Sequence, residues 1–285
     1  MNGITIVDIQ KKIADSLKKI DLTDREIQIE KNLIIENTLS ISLKEVLLNQ
    51  DKKISDNQVR NIYGILERRI QHEPLAHIFG EWSFYGRLFY VNKHTLIPRP
   101  DTELIIDIVL NSYKNQRGLK ILDLGTGSGV IGITLALELI EPDITICDIC
   151  PDALKIVSQN LQRFNINNIK SIQSNWFQNI FQKDFDLILS NPPYIDENDI
   201  HLTQPSIIYE PKKALVSKNK GLADIAVIIS QSKKYLKKGG HIIIEHGFDQ
   251  ANQIQNFFLT DQYDNIFSHQ DINGKLRCTS ATYNN

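Results

Sequence analysis

The first part of the chain has the hydrophobic spacing of amphipathic helices. Apolar residues recur three or four positions apart in two series, residues 6–17 and residues 59–66. This spacing places the apolar side chains on one face of a helix. Residues 29–48, between the two series, continue the helical pattern with few strand signals. We therefore predict a small helical domain over residues 1–72, whose last helix ends near Gln71.

The pattern changes over residues 73–98, where aromatic and β-branched residues alternate around Gly80 and Gly86. Such alternation next to glycine is typical of a β-hairpin. Pro100 then lies near the first turn of a new helix, a position that proline favours. We predict a β-hairpin linker over residues 73–98 and a second domain over residues 99–285.

From Leu119 onward, strand, turn and helix follow one another repeatedly. The predicted strands lie in KILDL, DITICDI, NIKSIQ, FDLILS and GGHIIIEH. The predicted helices lie in VIGITLALELI, PDALKIVSQNLQRF and GLADIAVIISQSKKYLKK, the last of which should stop at Gly239 and Gly240. This alternation predicts an α/β fold, a Rossmann-like, mostly parallel sheet with helices on both faces. Ligands should bind beyond the carboxyl ends of its strands.

Composition and charge limit the function classes. The 285 residues are 41% hydrophobic and 23% charged, which is ordinary for a globular protein. A net charge of −2 gives no global basic field, so a protein whose main partner is duplex nucleic acid is disfavoured. The N-terminus lacks a secretory-signal pattern, and the longest apolar run is shorter than the roughly 20 residues of a membrane span. We expect a cytoplasmic protein.

The three cysteines suit a reducing compartment, because their number is odd and their spacing forms no disulfide framework. Cys147 and Cys150 have the spacing of a redox or metal-binding pair. There is no second pair, however, and the histidines are scattered without ligand spacing. We therefore expect no metal site.

A glycine-rich turn, DLGTGSG, follows the first strand of the second domain. Gly125, Gly127 and Gly129 permit unusual backbone angles there and let the backbone approach a ligand closely. Asp148 lies at the end of the next strand, where a carboxylate can accept hydrogen bonds from both hydroxyls of a ribose. We predict a nucleoside site, with a purely structural turn as the alternative.

The same glycines fit two cofactor patterns. Gly127, Gly129 and Gly132 satisfy GxGxxG, a weak signal that suggests NAD. Asp123 extends the pattern to D-x-G-x-G-x-G, which resembles the S-adenosylmethionine site of Rossmann-like methyltransferases. This resemblance favours S-adenosylmethionine as the cofactor.

The strand FDLILS ends in Asn191, Pro192, Pro193 and Tyr194. Because Asn191 and Pro192 each precede a proline, the segment should be extended and stiff. It offers acceptors, the Asn191 side-chain oxygen and the Pro192 carbonyl, which match the two donors of a planar NH2 group. Tyr194 can pack against that flat group. We predict a clamp for an sp2 nitrogen that becomes methylated, with a strand-ending turn as the alternative.

Asn-Pro-Pro-Tyr resembles the signature of several amino-methyltransferase families, whose substrates are DNA adenine, RNA bases or protein glutamine. The segment EPLAHIFGEWSFYGRLFYVNKHTLIPRPDTELI is similar to the linker of the bacterial release factor glutamine methyltransferases, the PrmC/HemK family. The resemblance continues through CDICPDAL, SNWF, YEPKKALVS, GLADI and GGHIIIEHG and covers residues 73–283. It implies an N-terminal helical bundle, a hairpin linker and a seven-stranded methyltransferase domain.

The resemblance also implies an activity. Members of this family methylate the side-chain amide of the glutamine in the Gly-Gly-Gln motif of peptide chain release factors. The implied cofactor-binding residues are Gly125, Thr126, Gly127, Ser128, Gly129, Asp148, Trp176 and Asn191. Asn191, Pro192, Pro193 and Tyr194 would form the glutamine pocket, and Asn191, Pro192 and Tyr194 would be catalytic. The expected protein is a monomer without a direct nucleic-acid substrate.

Several alternatives stay open. Asn175 stands where the family usually has aspartate, so we expect weakened cofactor binding. Trp176 either borders the adenine or is a packing aromatic, and Arg99 is either an ion-pair partner or a rim contact. The helical domain either holds the macromolecular substrate or is a stabilising cap. A ribosomal-protein glutamine methyltransferase is the alternative function, and a nucleic-acid amino-methyltransferase is a more distant one.

Overall fold

The computed structural model describes residues 3–284. The chain divides into two compact units, one ending at Gly80 and one beginning at Glu81. None of the helices within the described residues has both the length and the apolar character needed to cross a membrane.

The first unit is built from helices. They are α1 Ile6–Leu17, α2 Asp24–Leu39, α3 Leu43–Leu48, α4 Asp56–Arg69 and α5 Leu75–Phe79. The first four each begin with a capping box, in which a Ser or Thr and the residue three positions later satisfy each other's backbone N–H groups. The apolar series in α1 is buried, as its spacing predicts. Arg69 and Glu30 join α4 to α2 through an ion pair of 2.8 Å between Nε and Oε2.

The second unit begins with an antiparallel hairpin of β1 Glu81–Phe84 and β2 Arg87–Tyr90. Its turn residues Tyr85 and Gly86 both have positive φ, at 49° and 70°. Such angles suit a tight hairpin turn, whose twist matches that of the strands. A 3-10 turn at Pro100–Thr102 then leads into α6 Glu103–Tyr113.

Seven strands form one sheet in the order β5-β4-β3-β6-β7-β9-β8. The strands are β3 Lys120–Leu124, β4 Asp143–Asp148, β5 Lys170–Gln173, β6 Phe185–Ser190, β7 Leu236–Glu245, β8 Asp264–Gln270 and β9 Leu276–Tyr283. The helices are α7 Val130–Glu138, α8 Pro151–Arg163, α9 Lys212–Leu215, α10 Lys218–Gly221, α11 Ala223–Ser232 and α12 Ala251–Thr260. The first five strands in the sheet order are parallel, and β9 is antiparallel to both neighbours. The predicted Rossmann-like α/β fold is confirmed.

The strand order reverses beside β3. The chain runs outward from β3 through β4 to β5 and then returns to β6 on the other side. Apolar side chains of β3 alternate between two buried clusters, with Ile121 in one and Leu122 and Leu124 in the other, so both faces of the sheet are covered. A crevice at such a reversal is where ligands bind in sheets of this type.

One predicted boundary was wrong. The helix expected to continue to Lys238 ends at Ser232, and β7 begins at Leu236. Leu236 is buried and pairs with Phe185 of β6, so the lysine-rich run joins the sheet instead of extending the helix. Gly239 lies within β7 and does not stop a helix. The sequence had also given no location for β8 and β9, whose hydrophobic alternation is weak.

Candidate active site

A cavity of about 460 Å³ lies at the carboxyl ends of β3, β4 and β6. This volume falls within the roughly 300–1,000 Å³ of small-molecule sites. Most of the site residues predicted from the sequence line it: Gly125, Thr126, Gly127, Ser128, Asp148, Trp176, Asn191 and Pro193. Gly129, Pro192 and Tyr194 are adjacent in the chain but do not contribute to this lining.

The glycine-rich turn after β3 is tied to the end of β4. The N–H groups of Gly125 and Thr126 both donate to the carbonyl of Cys147 at 2.9 Å. Gly125 has a φ of 71°, and a Cβ there would lie 3.2 Å from Cζ3 of Trp176. Gly129 has a φ of 87°, and its Cβ would lie 2.9 Å from Cδ1 of Ile133. Both positions therefore require glycine for conformation and for close packing.

Asp123 is completely buried beside this turn. Its Oδ2 accepts hydrogen bonds from the Thr126 hydroxyl at 2.6 Å and the Gly132 N–H at 3.1 Å. Its Oδ1 has no hydrogen-bond partner among residues 3–284. Burial raises the pKa of Asp123 to about 6, against the lowering effect of the two hydrogen bonds. A buried acceptor without a partner calls for a ligand or water.

Asp148 ends β4 and borders the cavity. One carboxylate oxygen accepts the N–H of Gly127 at 2.9 Å, and the other accepts the N–H of Cys150 at 2.8 Å. Burial raises the pKa of Asp148, while these hydrogen bonds oppose the shift. Because each oxygen retains acceptor capacity, the carboxylate can also bind hydroxyl groups of a ligand.

Trp176 is a cavity-lining aromatic held by its indole nitrogen. Nε1 donates to Oδ1 of Asp224 at 3.0 Å, and the ring packs against Gly125. The Ser217 hydroxyl donates to the other oxygen of Asp224. Trp176 has a φ of 48°, which is uncommon for a bulky residue and marks a constrained position. Asn175 also lines the cavity.

Asn191 follows β6 directly. Its Nδ2 donates to Oγ1 of Thr102 at 2.9 Å. The amide oxygen, Oδ1, therefore points away from Thr102. The Tyr194 hydroxyl donates to Oε1 of Glu245 at 3.2 Å. The backbone carbonyl of Tyr194 accepts a hydrogen bond from Nε2 of Gln250 at 2.9 Å. The Asn-Pro-Pro-Tyr segment is thus held at both ends by side chains from distant parts of the second unit.

Arg99 forms an ion pair with the buried Glu210, whose carboxylate also accepts the N–H of Ile97. Arg99 lines the cavity as well. The ion pair and the position at the cavity wall, which the sequence had left as alternatives, therefore occur together.

Comparisons with known proteins bear on this arrangement. Residues 8–80 match the PrmC N-terminal domain, and residues 102–222 match the methyltransferase small domain. The release factor glutamine methyltransferase of Francisella tularensis is 40% identical over 99% of this chain and 98% of its own length. The chain belongs to the release factor glutamine methyltransferase family. It is therefore a methyltransferase.

A further relative supports the family, and a solved structure supports the fold. The release factor glutamine methyltransferase of Shewanella oneidensis is 40% identical over 82% of this chain and 81% of its own length. A solved methyltransferase structure from Pyrococcus furiosus superimposes with a TM-score of 0.53, covering 81% of this chain and all of that one at 15% identity. At this identity the likeness shows a shared fold alone.

Four residues near the site were missed by the sequence prediction. Thr102, Asp224, Glu245 and Gln250 contact Asn191, Trp176 or Tyr194. Glu245 offered one signal, since it is a charged residue ending the apolar strand HIIIE. The other three had none, because their partners lie far away in the sequence.

Proposed function

We propose that this protein methylates the side-chain amide nitrogen of the glutamine in the Gly-Gly-Gln motif of peptide chain release factors, with S-adenosylmethionine as methyl donor. The observation that carries the proposal is Asn191, which lines the cavity and directs its Nδ2 to Thr102. Its oxygen is thereby left for a donor in the cavity. The names of relatives that match over nearly the whole chain support a release factor as the substrate.

The residues around the cavity fit S-adenosylmethionine. Asp148 would accept the ribose hydroxyls, and the Gly125–Gly129 turn would lie against the methionine part. Trp176 and Asn175 would border the adenine. The partnerless Oδ1 of Asp123 is a buried acceptor beside the glycine-rich turn and does not belong to the cavity lining, so it would act on a cationic group only through water. When bound, the cofactor supplies an electrophilic methyl group on a sulfonium.

The clamp would act on the glutamine amide. This nitrogen is a poor nucleophile because its lone pair is delocalised, so orienting it is the main task of the protein. Asn191 Oδ1 and the Pro192 carbonyl would accept its two hydrogens, and Tyr194 would pack near the flat group. No general base is required, since the methylated nitrogen is acidic enough to lose its proton to water. The helical unit would hold the macromolecular substrate.

Mass spectrometry of an unmethylated release factor tests this function. After incubation with the protein and S-adenosylmethionine, we expect one added methyl group on the Gly-Gly-Gln peptide. A release factor with that glutamine replaced by alanine should gain none. Ribosomal protein and tRNA are included as competing substrates. Methylation of only one of these competitors would contradict the proposed substrate.

A second prediction concerns Asp148. Asp148→Asn should weaken binding of S-adenosylhomocysteine by about 10- to 100-fold, which corresponds to the loss of one hydrogen bond to a charged group. The replacement amide would set its NH2 against the N–H of Gly127 or Cys150, both of which donate to the aspartate. Isothermal titration calorimetry measures the affinity. Asp152→Asn is the matched control, because Asp152 lies near the surface, where it forms an ion pair with Lys155. Equal affinities of the two variants would refute the proposed role of Asp148 in binding the cofactor.

A further inference from the structure

Glu245 is a completely buried carboxyl group behind the Asn-Pro-Pro-Tyr segment. It ends β7, next to the end of β6 from which Asn191 continues. Its Oε1 accepts the Tyr194 hydroxyl at 3.2 Å. Its Oε2 has no partner of normal hydrogen-bond geometry within the described chain, although the Thr102 hydroxyl is close enough to lower the pKa of the carboxyl group. Glu245 is outside the cavity lining and contacts the Asn-Pro-Pro-Tyr segment through the Tyr194 hydroxyl.

The orientation of the Asn191 amide decides whether the clamp works. An amide NH2 on the substrate needs an acceptor, so Asn191 must present its oxygen and keep its own NH2 turned away. In the structure, that NH2 donates to Oγ1 of Thr102. Thr102 has one hydroxyl hydrogen. If this hydrogen is committed to Glu245, the Thr102 oxygen can only accept from Asn191, and the amide is fixed in the productive orientation.

We propose that Glu245 is a positioning residue that takes the Thr102 hydroxyl hydrogen and thereby fixes the Asn191 amide oxygen toward the substrate nitrogen, an inference that rests on the proposed function. The same carboxylate accepts the Tyr194 hydroxyl. One buried carboxylate would thus set the direction of the observed Tyr194 hydrogen bond and of the proposed Thr102 hydrogen bond, on either side of the two prolines. A protonated or amide group at position 245 could instead donate to Thr102. Thr102 would then be free to donate to Asn191, which would turn its NH2 toward the substrate.

The charges around Glu245 make this device dependent on pH. Burial raises the pKa of Glu245 to about 7, against the hydrogen bonds of Thr102 and Tyr194. Asp101 also raises this pKa, and Arg277 lowers it. Arg277 compensates only in part, since its Nε lies 3.1 Å from Asp101 and 3.3 Å from Asp271. The thiol of Cys278 faces Glu245 from β9.

The sign of the effect follows from the raised pKa. Below about pH 7 the carboxyl group is protonated and no longer acts purely as an acceptor, so kcat should fall as the pH decreases through this value. The folded state, however, binds this proton more tightly than the unfolded chain, so folding stability decreases as the pH rises through the same value. Glu245→Gln removes the buried charge and should therefore not be less stable than wild type at pH 8.

The experiment compares methyl transfer to the release factor by full-length wild type, Glu245→Gln, Thr102→Val and Thr102→Ser, with Asp249→Asn as an exposed carboxylate control. We expect Glu245→Gln and Thr102→Val to lower kcat by about 10- to 100-fold, as loss of an orienting partner does at other sites. The KM for S-adenosylmethionine should change less than about threefold. Thr102→Ser should recover most of the lost activity because it restores the hydroxyl. The acid-side decrease in kcat should be absent from Glu245→Gln.

Two outcomes overturn the inference. The first is a kcat of Glu245→Gln within about threefold of wild type with the acid-side decrease retained. The second is equal activity of Thr102→Val and Thr102→Ser. This comparison can be made even if Glu245→Gln does not fold. A wild-type enzyme that leaves the release factor unmethylated overturns the proposed function and this inference with it. An active wild type with undiminished variants contradicts the inference alone.

Discussion

Replacement of Asn191 by alanine should lower kcat for methyl transfer by about 10²- to 10³-fold, the usual effect of removing one preorganised polar group from an active site. The amide of Asn191 reaches the cavity from the end of a buried strand, and its NH2 group is already bound to Thr102. On the proposed clamp, alanine would leave one substrate hydrogen without an acceptor and the glutamine nitrogen free to rotate. Single-turnover methylation of the release factor measures the effect.

The loss should be confined largely to the chemical step. Asp148 and the glycine-rich turn remain intact in Asn191→Ala, so binding of S-adenosylhomocysteine should stay within about tenfold of wild type. The matched control is Asn198→Ala, in the exposed loop after the clamp, where the side chain donates a hydrogen bond to Asp196. If Asn191→Ala retains more than about a third of the wild-type rate, Asn191 does not hold the reacting amide.

Replacement of Gly221 by alanine should destabilise the protein by about 2 to 4 kcal/mol, combining backbone strain with overpacking. Gly221 has a φ of 81°, and a Cβ there would overlap the carbonyl oxygen of Tyr194. It would also lie 2.8 Å from Nε2 of Gln250, which donates to the carbonyls of Tyr194 and Lys220. The Asn-Pro-Pro-Tyr backbone must therefore shift, and kcat should decrease together with stability.

Urea unfolding measures the stability, and Gly274→Ala is the control that separates the two causes. Gly274 has a similar φ of 75°, but within residues 3–284 a Cβ there would meet no atom closer than 4 Å beyond its chain neighbours. Gly274→Ala should therefore cost only the roughly 1 to 2 kcal/mol of left-handed strain and should leave activity intact. Equal destabilisation by the two substitutions would show that the contact with Tyr194 carries no energy.

The elements of the fold could be predicted because local patterns encode them. The apolar spacing in residues 6–17 requires one buried helix face, and DLGTGSG can make its turn only with residues that tolerate positive φ. The predicted boundary before β7 was wrong for the opposite reason. Lys233 to Lys238 favour a helix locally, but the pairing of Leu236 with Phe185 places part of this run in the sheet.

The sequence by itself determined the α/β fold class, the glycine-rich turn and the Asn-Pro-Pro-Tyr segment, because each depends on residues that are neighbours in the chain. Only the tertiary structure decided which groups orient them. Thr102 is 89 residues from Asn191, Glu245 is 51 residues from Tyr194, and Asp224 is 48 residues from Trp176. A hydrogen bond between such residues leaves no periodic trace in the sequence. The bond of Glu245 to Tyr194 exists because the parallel strands β6 and β7 bring their carboxyl ends to one edge of the sheet, whereas Thr102 comes from the turn before α6 and Asp224 from α11. Burial makes each unsatisfied polar group at this edge costly and fixes its partner.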